Sequence, residues 1–248
     1  MFSKIEKNPF LTLAIIAGGF ILFGYSTSLP KITDFMIFCI FVLGFDLLYG
    51  HMGQLSFGHM LYLGAGSYGT AIFAAFVTPD PFLGIAVGIF TAALLAFILG
   101  LIVVRTSGAC FALLNLALNE VGAFMVLVPF PQWTGGEDGL SLFFESYGFL
   151  NFANPTFLFF FVLGSLLAVS YLIMRFVRSP YGMFLKATKE NEVRVRFLGY
   201  NTYIYKLITF VLSGSIAGFA GALNTINLSY TSPSLIDPTR NVEVIFAA

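Results

Sequence analysis

Seven stretches of this chain approach or exceed twenty residues with almost no charge, and that single fact restricts the fold more than any motif does. They run over residues 10–29, 35–50, 58–78, 82–104, 108–130, 155–177 and 205–226, and an eighth begins near Val242 and runs to Ala248. About 20 apolar residues in a helix cross the roughly 30 Å of hydrocarbon in a bilayer. Lipid offers no hydrogen-bond partners, so the backbone there must satisfy itself as helix. Charged residues make up only 10% of the chain, against roughly 25% in a soluble domain. The deficit follows from the cost of a charge in hydrocarbon, about 2.5 kcal/mol or more. The expected fold is therefore all-α: a polytopic transmembrane bundle of about eight spans, forming one domain over residues 1–248.

The N-terminal Lys4 and Lys7 followed by the run from Phe10 read as an uncleaved first span, since six more follow it. With the N-terminus in the cytoplasm, the alternating spans put Lys4, Lys7, Arg105, Arg175, Arg178, Lys186, Lys189, Arg194, Arg196 and Lys206 inside. Only Lys31 and Arg240 fall outside, together with Asp34, Asp80, Glu137, Asp138, Glu145 and Asp237. The positive-inside rule selects this orientation over its inverse.

Two polar segments remain, residues 131–154 on the outer side and 178–204 on the inner side. Neither carries a phosphate-binding loop, a nucleotide fingerprint or an acid–base constellation. The chain is expected to perform no covalent chemistry and to need no cofactor. No basic run supports nucleic-acid binding. Cys39 and Cys110 lie in apolar stretches, where cysteine is a packing residue. His51 and His59 have no acidic or cysteine partner at metal-ligand spacing, so no metal site is expected.

The inner segment has a helix signature. Ser179 is a good N-cap, Pro180 suits the first turn, and Gly199 terminates. Lys186, Glu190 and Arg194 recur every fourth residue, as do Glu192 and Arg196, a spacing that pairs charges on a helix face. Phe184, Ala187, Val195 and Leu198 form a partial apolar stripe interrupted by Asn191. Physics alone leaves two readings open: a hairpin on the membrane surface, or a docking element for a cytoplasmic partner.

Four blocks carry a resemblance. The segment 45–71, with Gly50, Gly53, Ser56, Gly58 and His59, resembles the Gly-x-x-Gly-x-x-Ser-x-Gly-His segment of the branched-chain amino acid ABC transporter permeases. Residues 105–120 are similar to that family's next element, TGGEDGL (134–140) resembles its outer-loop pattern, and 179–223 resembles the loop that engages the ATPase plus the span after it. The blocks occur in the family's order and cover most of residues 40–240, and the match is closest to the larger of the family's two permease types. The resemblance implies a second, related permease subunit, two ATP-hydrolysing cytoplasmic subunits and a periplasmic solute-binding protein, in a bacterial inner membrane. It implies an ATPase-contact role for Glu190, Asn191, Glu192 and Gly199. Arg194 departs from the small residue expected there. The family normally continues past the equivalent of Ala248, so the sequence is expected to be C-terminally incomplete. The implied solute is a branched-chain amino acid, and the family also serves urea and short amides.

Polar residues within spans are expensive and default to function. Gln54, Ser56, His59, Asn115 and Glu120 are the candidate solute-path residues. Gln54 and Ser56 lead, because Gly50, Gly53 and Gly58 weaken a helix and irregular backbone at membrane depth survives only where it is buried or lines a cavity. The competing role for Asn115 and Asn119, four apart on one face, is to hold helices together. Gly64, Gly66 and Gly69, and Gly214, Gly218 and Gly221, are spaced for close helix packing. Two other functions remain on the sequence alone: a secondary transporter coupled to an ion gradient through Asp46 or Glu120, and a structural subunit with no path of its own.

Overall fold

A computed structural model describes residues 9–26, 28–145 and 152–237 of the 248. In chain order the helices are α1 (Pro9–Ser26), α2 (Leu29–Asp46), α3 (Met60–Phe76), α4 (Pro81–Val103), α5 (Ala109–Leu127), the single turn α6 (Pro131–Thr134), α7 (Pro155–Arg178), α8 (Pro180–Phe197) and α9 (Thr202–Leu228). Two short strands, β1 (Leu140–Ser141) and β2 (Tyr230–Thr231), pair antiparallel with Leu140 opposite Thr231.

Three helices start at a polar residue followed by proline. Asp80 accepts the N–H groups of Phe82 (2.8 Å) and Leu83 (3.3 Å) before α4. Asn154 accepts that of Thr156 (3.0 Å) before α7, and Ser179 that of Gly182 (3.4 Å) before α8. Each side chain satisfies N–H groups that the first turn leaves over, and proline has none to satisfy.

Among the described residues, five helical stretches are long and apolar enough to cross a membrane: Leu29–Met52, Pro81–Val103, Ala109–Leu127, Pro155–Arg178 and Thr202–Leu228. Two shorter apolar helices, Thr12–Leu22 within α1 and Met60–Phe76, fill the places of the first and third expected spans. The expected total of about eight is thus five full-length and two shorter helices, and the eighth run from Val242 lies outside the described residues. Lys4, Lys7 and Arg240 lie outside them as well.

The core is the trio α3, α4 and α9, whose backbones approach closely because glycine lines the contacts. A Cβ on Gly66 would collide with the backbone of Gly218, one on Gly221 with the carbonyl of Leu63, and one on Gly218 with Ala92. The glycine triplets act as packing surfaces, as their spacing predicts. α2 and α7 pack on one flank of this trio and α5 on another. The helices alternate in direction, giving the bundle two ends. One carries α8, the other the β1–β2 bridge. Eight of the nine described Lys and Arg residues lie at the α8 end: Arg105, Arg175, Arg178, Lys186, Lys189, Arg194, Arg196 and Lys206. Lys31 alone lies at the bridge end.

Candidate solute path and coupling surface

The glycine-rich segment after α2 does not break where helix propensity alone would break it. α2 continues through a widened π-helical turn, Leu47–Met52, and stops at Gly53, whose φ of 73° is the left-handed conformation that glycine adopts freely. Irregular chain follows to His59. This puts Gln54 and Ser56 at the α8 end of the bundle. Gln54 Oε1 accepts the N–H of Gly108 (3.3 Å), from the α4–α5 turn. Ser56 is fully buried and its Oγ accepts the N–H of Gly58 (3.4 Å). A Cβ on Gly58 would overlap the Asn115 carbonyl, so this segment lies directly against α5.

His59 is fully buried within the trio's near end. Phe41, Phe45 and Tyr62 surround it at ring-centroid distances of 5.5, 5.6 and 5.5 Å. Ser213 Oγ lies 3.2 Å from its Nε2 and 2.5 Å from the Gly44 carbonyl. The hydroxyl has one proton, which the carbonyl takes, so Nε2–H donates to Ser213 and the Nδ1 lone pair is left with no partner. Asn115 and Asn119 are also buried and half-satisfied. Asn115 Nδ2 donates to Phe111 O (2.8 Å) and Asn119 Nδ2 to Ile236 O (2.8 Å), while both Oδ1 atoms are unpaired. Glu120 stands apart from these, exposed on α5 beside the buried Asn119. Asp46 is held by His51, whose Nδ1 lies 3.4 Å from its carboxylate.

The Asn119–Ile236 bond exposes a feature that the sequence reading missed. After α9 the chain turns at Ser229 and, beyond β2, passes back into the bundle. Thr231 Oγ1 lies 2.5 Å from Ser67 Oγ, which lies 2.6 Å from Thr225 Oγ1. Ile236 is buried against Gly64. The residues 230–235 border a hollow of about 370 Å³ that also touches α2, α3 and α9. Asp34 and Asn224 line it. Asn224 and Asn227, one turn apart in an apolar run, were the available signal.

The outer-loop motif is built on backbone conformation. Gly135, Gly136 and Gly139 have φ of 75°, 57° and 71°, a region that side chains disfavour. Thr134 Oγ1 reaches the carbonyls of Val126 (2.7 Å) and Phe130 (2.9 Å), and Tyr230 OH donates to Asp138 O (2.7 Å). Glu137 and Asp138 are left exposed on this loop.

At the other end, α8 is two helices in sequence. Asn191 has non-helical φ and ψ of −158° and 92°, and its Oδ1 accepts the Arg194 N–H (3.0 Å), capping the second piece. The kink separates Glu190 from Arg194, and no ion pair forms among Lys186, Glu190 and Arg194. The expected stripe holds in part: Val195 is buried and Phe184 half-buried, but Ala187 and Leu198 (70%) are exposed, and Leu185 and Thr188 are buried instead. The Glu192–Arg196 pair does form, at 2.7 Å. Glu192 also accepts from Lys206 Nζ (2.5 Å) and Thr202 Oγ1 (3.0 Å). Burial pushes the Glu192 carboxyl up, but Lys206, Thr202 and Arg196 together hold it below the usual range. Tyr181 OH donates to Tyr205 O (2.5 Å), and Phe184 stacks on Tyr205 at 3.9 Å, fixing α8 to α9. Lys189 Nζ donates to Gly50 O (2.7 Å) and its stem covers Gly53, tying α8 to the π turn. Gly199, at φ 87°, ends the element. Met183, Val193, Phe197 and Leu198 are left exposed on it.

A family model described as "Branched-chain amino acid transport system / permease component" matches residues 28–248. The chain belongs to this permease family. Among its relatives is the high-affinity branched-chain amino acid transport system permease protein LivM of Escherichia coli K12, 26% identical over 93% of this chain and 60% of the relative. The LivM protein of Salmonella typhimurium LT2 is 28% identical over the same shares. The chain thus spans about 60% of the length of these permeases. No solved structure matches it.

Proposed function

We propose that the chain is a permease subunit of a bacterial ABC importer for branched-chain amino acids or similar small solutes, driven by ATP hydrolysis on separate subunits. The observation that carries this is α8. It is a polar helix at the positively charged end of the bundle, bent at Asn191, locked to α9 by an ion network, and tipped with exposed Val193, Phe197 and Leu198. Exposed apolar residues on an otherwise charged surface mark a contact with another protein. The positive-inside rule puts that end in the cytoplasm, where two ATP-binding subunits are available. The bundle lies in the inner membrane with its N-terminus cytoplasmic, a second homologous permease beside it, and a periplasmic solute-binding protein on the acidic loop of residues 131–154.

In this reading α8 is a lever. Glu190 and the apolar tip meet the ATPase, Asn191 sets the bend, Gly199 ends the arm, and Glu192 passes force into α9 through Lys206. Lys189 carries the same movement to Gly50, so the π turn and the Gln54–Ser56 segment move with the arm. His59, Asn115 and their neighbours sit just beyond it, where rearrangement opens or closes the path.

The test is uptake of labelled leucine into proteoliposomes holding the complete transporter. Uptake is expected to require ATP on the α8 side and to persist when ion gradients are collapsed. Uptake that follows a proton or sodium gradient and ignores ATP would replace this reading with ion coupling.

A further inference from the structure

We infer that the 370 Å³ hollow beside Asp34 is a binding station for a zwitterionic α-amino acid with an aliphatic side chain. The inference rests on the importer reading and names the groups that would receive the solute.

The hollow lies at the bridge end, between α2, α3, α9 and the returning residues 230–235. Its size is at the low end of small-molecule sites, which run from about 300 to 1,000 Å³. Its polarity is graded. Asp34, Ser232 and Ser234 stand at the mouth. Ile37, Phe38, Phe41 and Leu63 wall the interior. From Asp34 to Phe41 along α2 the descent is roughly 10 Å. Phe41 closes the floor, with the buried His59 directly beneath it.

Two polar groups have bonding capacity to offer. Asp34 accepts from Asn227 Nδ2 through one oxygen, and no cation pairs with it among the described residues. A carboxylate at a span without a counter-charge is an acceptor for a cation. Asn224 Nδ2 is buried and makes no hydrogen bond within the described protein. A buried donor with no partner loses its water bonds for nothing unless a ligand replaces them. Asn224 and Asn227 are one turn apart on α9, and Asn227 touches Asp34. Asp34 and Asn224 therefore line one hollow, with Asn224 and the Asn227 that anchors Asp34 about a helical turn apart on α9, so a ligand between them would reach each with one hydrogen bond. The ammonium goes to Asp34, the carboxylate to Asn224, and the side chain down against Ile37, Phe38 and Phe41. An apolar acid fills the second and third places but not the first. Urea fills neither charged place.

The test uses the complete transporter in proteoliposomes. Asp34→Asn is expected to lower maximal leucine uptake about tenfold, the effect of losing one charge-assisted hydrogen bond, and Asn224→Leu several-fold. A second measurement leaves both residues in place. Ser234→Cys on the rim is labelled with a membrane-impermeant maleimide, and leucine slows the labelling whereas isocaproate (leucine without its ammonium) and urea do not. Equal slowing by isocaproate removes Asp34 as the ammonium acceptor and overturns the inference. Labelling that ignores leucine makes the hollow a water-filled vestibule only, and overturns it too. Wild-type uptake that ignores ATP is a different result: it defeats the importer reading, while the labelling assay reports on the station alone.

Discussion

At the α8 end, Glu192 takes hydrogen bonds from Lys206, Thr202 and Arg196 together, and the buried lysine has a full partner. In the body of the bundle, His59, Asn115 and Asn119 each use one polar atom and leave another buried and unpaired. Charge is more expensive to bury than an amide, yet the charged group is the satisfied one. A network with every member bonded behaves as one rigid part. A lever needs that property. A path for a polar solute needs the reverse, groups whose bonding is not exhausted by their neighbours. The Glu192 network at the α8 end is fully bonded and the interior is not, which is the difference that the proposed lever and path require.

The largest effect should come from breaking the brace. Lys206 is only 5% exposed at its side chain, and an unpaired buried charge costs about 3–5 kcal/mol. Glu192→Ala is expected to destabilise the permease by about 3 kcal/mol, read as a drop in the thermal midpoint of the purified complex. Adding Lys206→Met should recover most of the loss. Simple additivity in that double-mutant cycle would show that the two residues do not act as a unit.

The next effect tests whether the body owes its order to backbone contact instead. Gly66→Ala drives a methyl into the Gly218 backbone, and overpacking of this kind costs about 1–3 kcal/mol. Gly18→Ala, where nothing lies within 4 Å, is the control and should leave the midpoint unchanged. Equal effects at the two sites would remove the close-packed trio from the account.

Acid should weaken the brace and spare the body. The Glu192 carboxyl is held below its ordinary 4.5 in the folded chain. Its contribution is therefore complete above 4.5 and disappears as the pH falls through that value toward the lower folded one. Wild type should lose more thermal stability between pH 7 and pH 4 than Glu192→Gln, which has no proton to gain. Parallel losses would mean that the pair adds nothing specific.

Much of this was legible in the sequence, for local reasons. The runs 82–104 and 155–177 became Pro81–Val103 and Pro155–Arg178, because Asp80-Pro81 and Asn154-Pro155 announce their own helix starts. The packing glycines were readable from spacing. The sequence pattern starts the second span at residue 35, whereas the helix starts at Leu29, because Lys31 and Asp34 have the character of loop residues yet lie on the first turns of α2. What escaped the reading depends on distant partners. The bend at Asn191 looks like a gap in a stripe, and only the buried Leu185 and Val195 show that two faces are in use. The return of residues 230–236 into the bundle is fixed by Ser67, Gly64 and Asn119, all more than a hundred residues earlier. Gln54 and Ser56 were correctly read as lying in irregular chain, but depth along the bundle is set by where α2 ends, and the π turn carries that end to Met52.

The smallest effect sharpens the contrast most. His59→Phe keeps a planar ring of similar bulk among Phe41, Phe45 and Tyr62. It loses the 3.2 Å bond to Ser213, worth about 1 kcal/mol. It also removes the unpaired Nδ1, whose burial costs a comparable amount. Ser213 keeps its bond to the Gly44 carbonyl, so no new orphan is created. The net change in the thermal midpoint should be close to zero. His59→Ala should instead lower stability by about 3 kcal/mol, because the aromatic neighbours are left around a cavity. If His59→Phe is as damaging as His59→Ala, the imidazole is fully employed in the resting bundle, and the division between a fully bonded network and an incompletely bonded interior does not hold at its central residue.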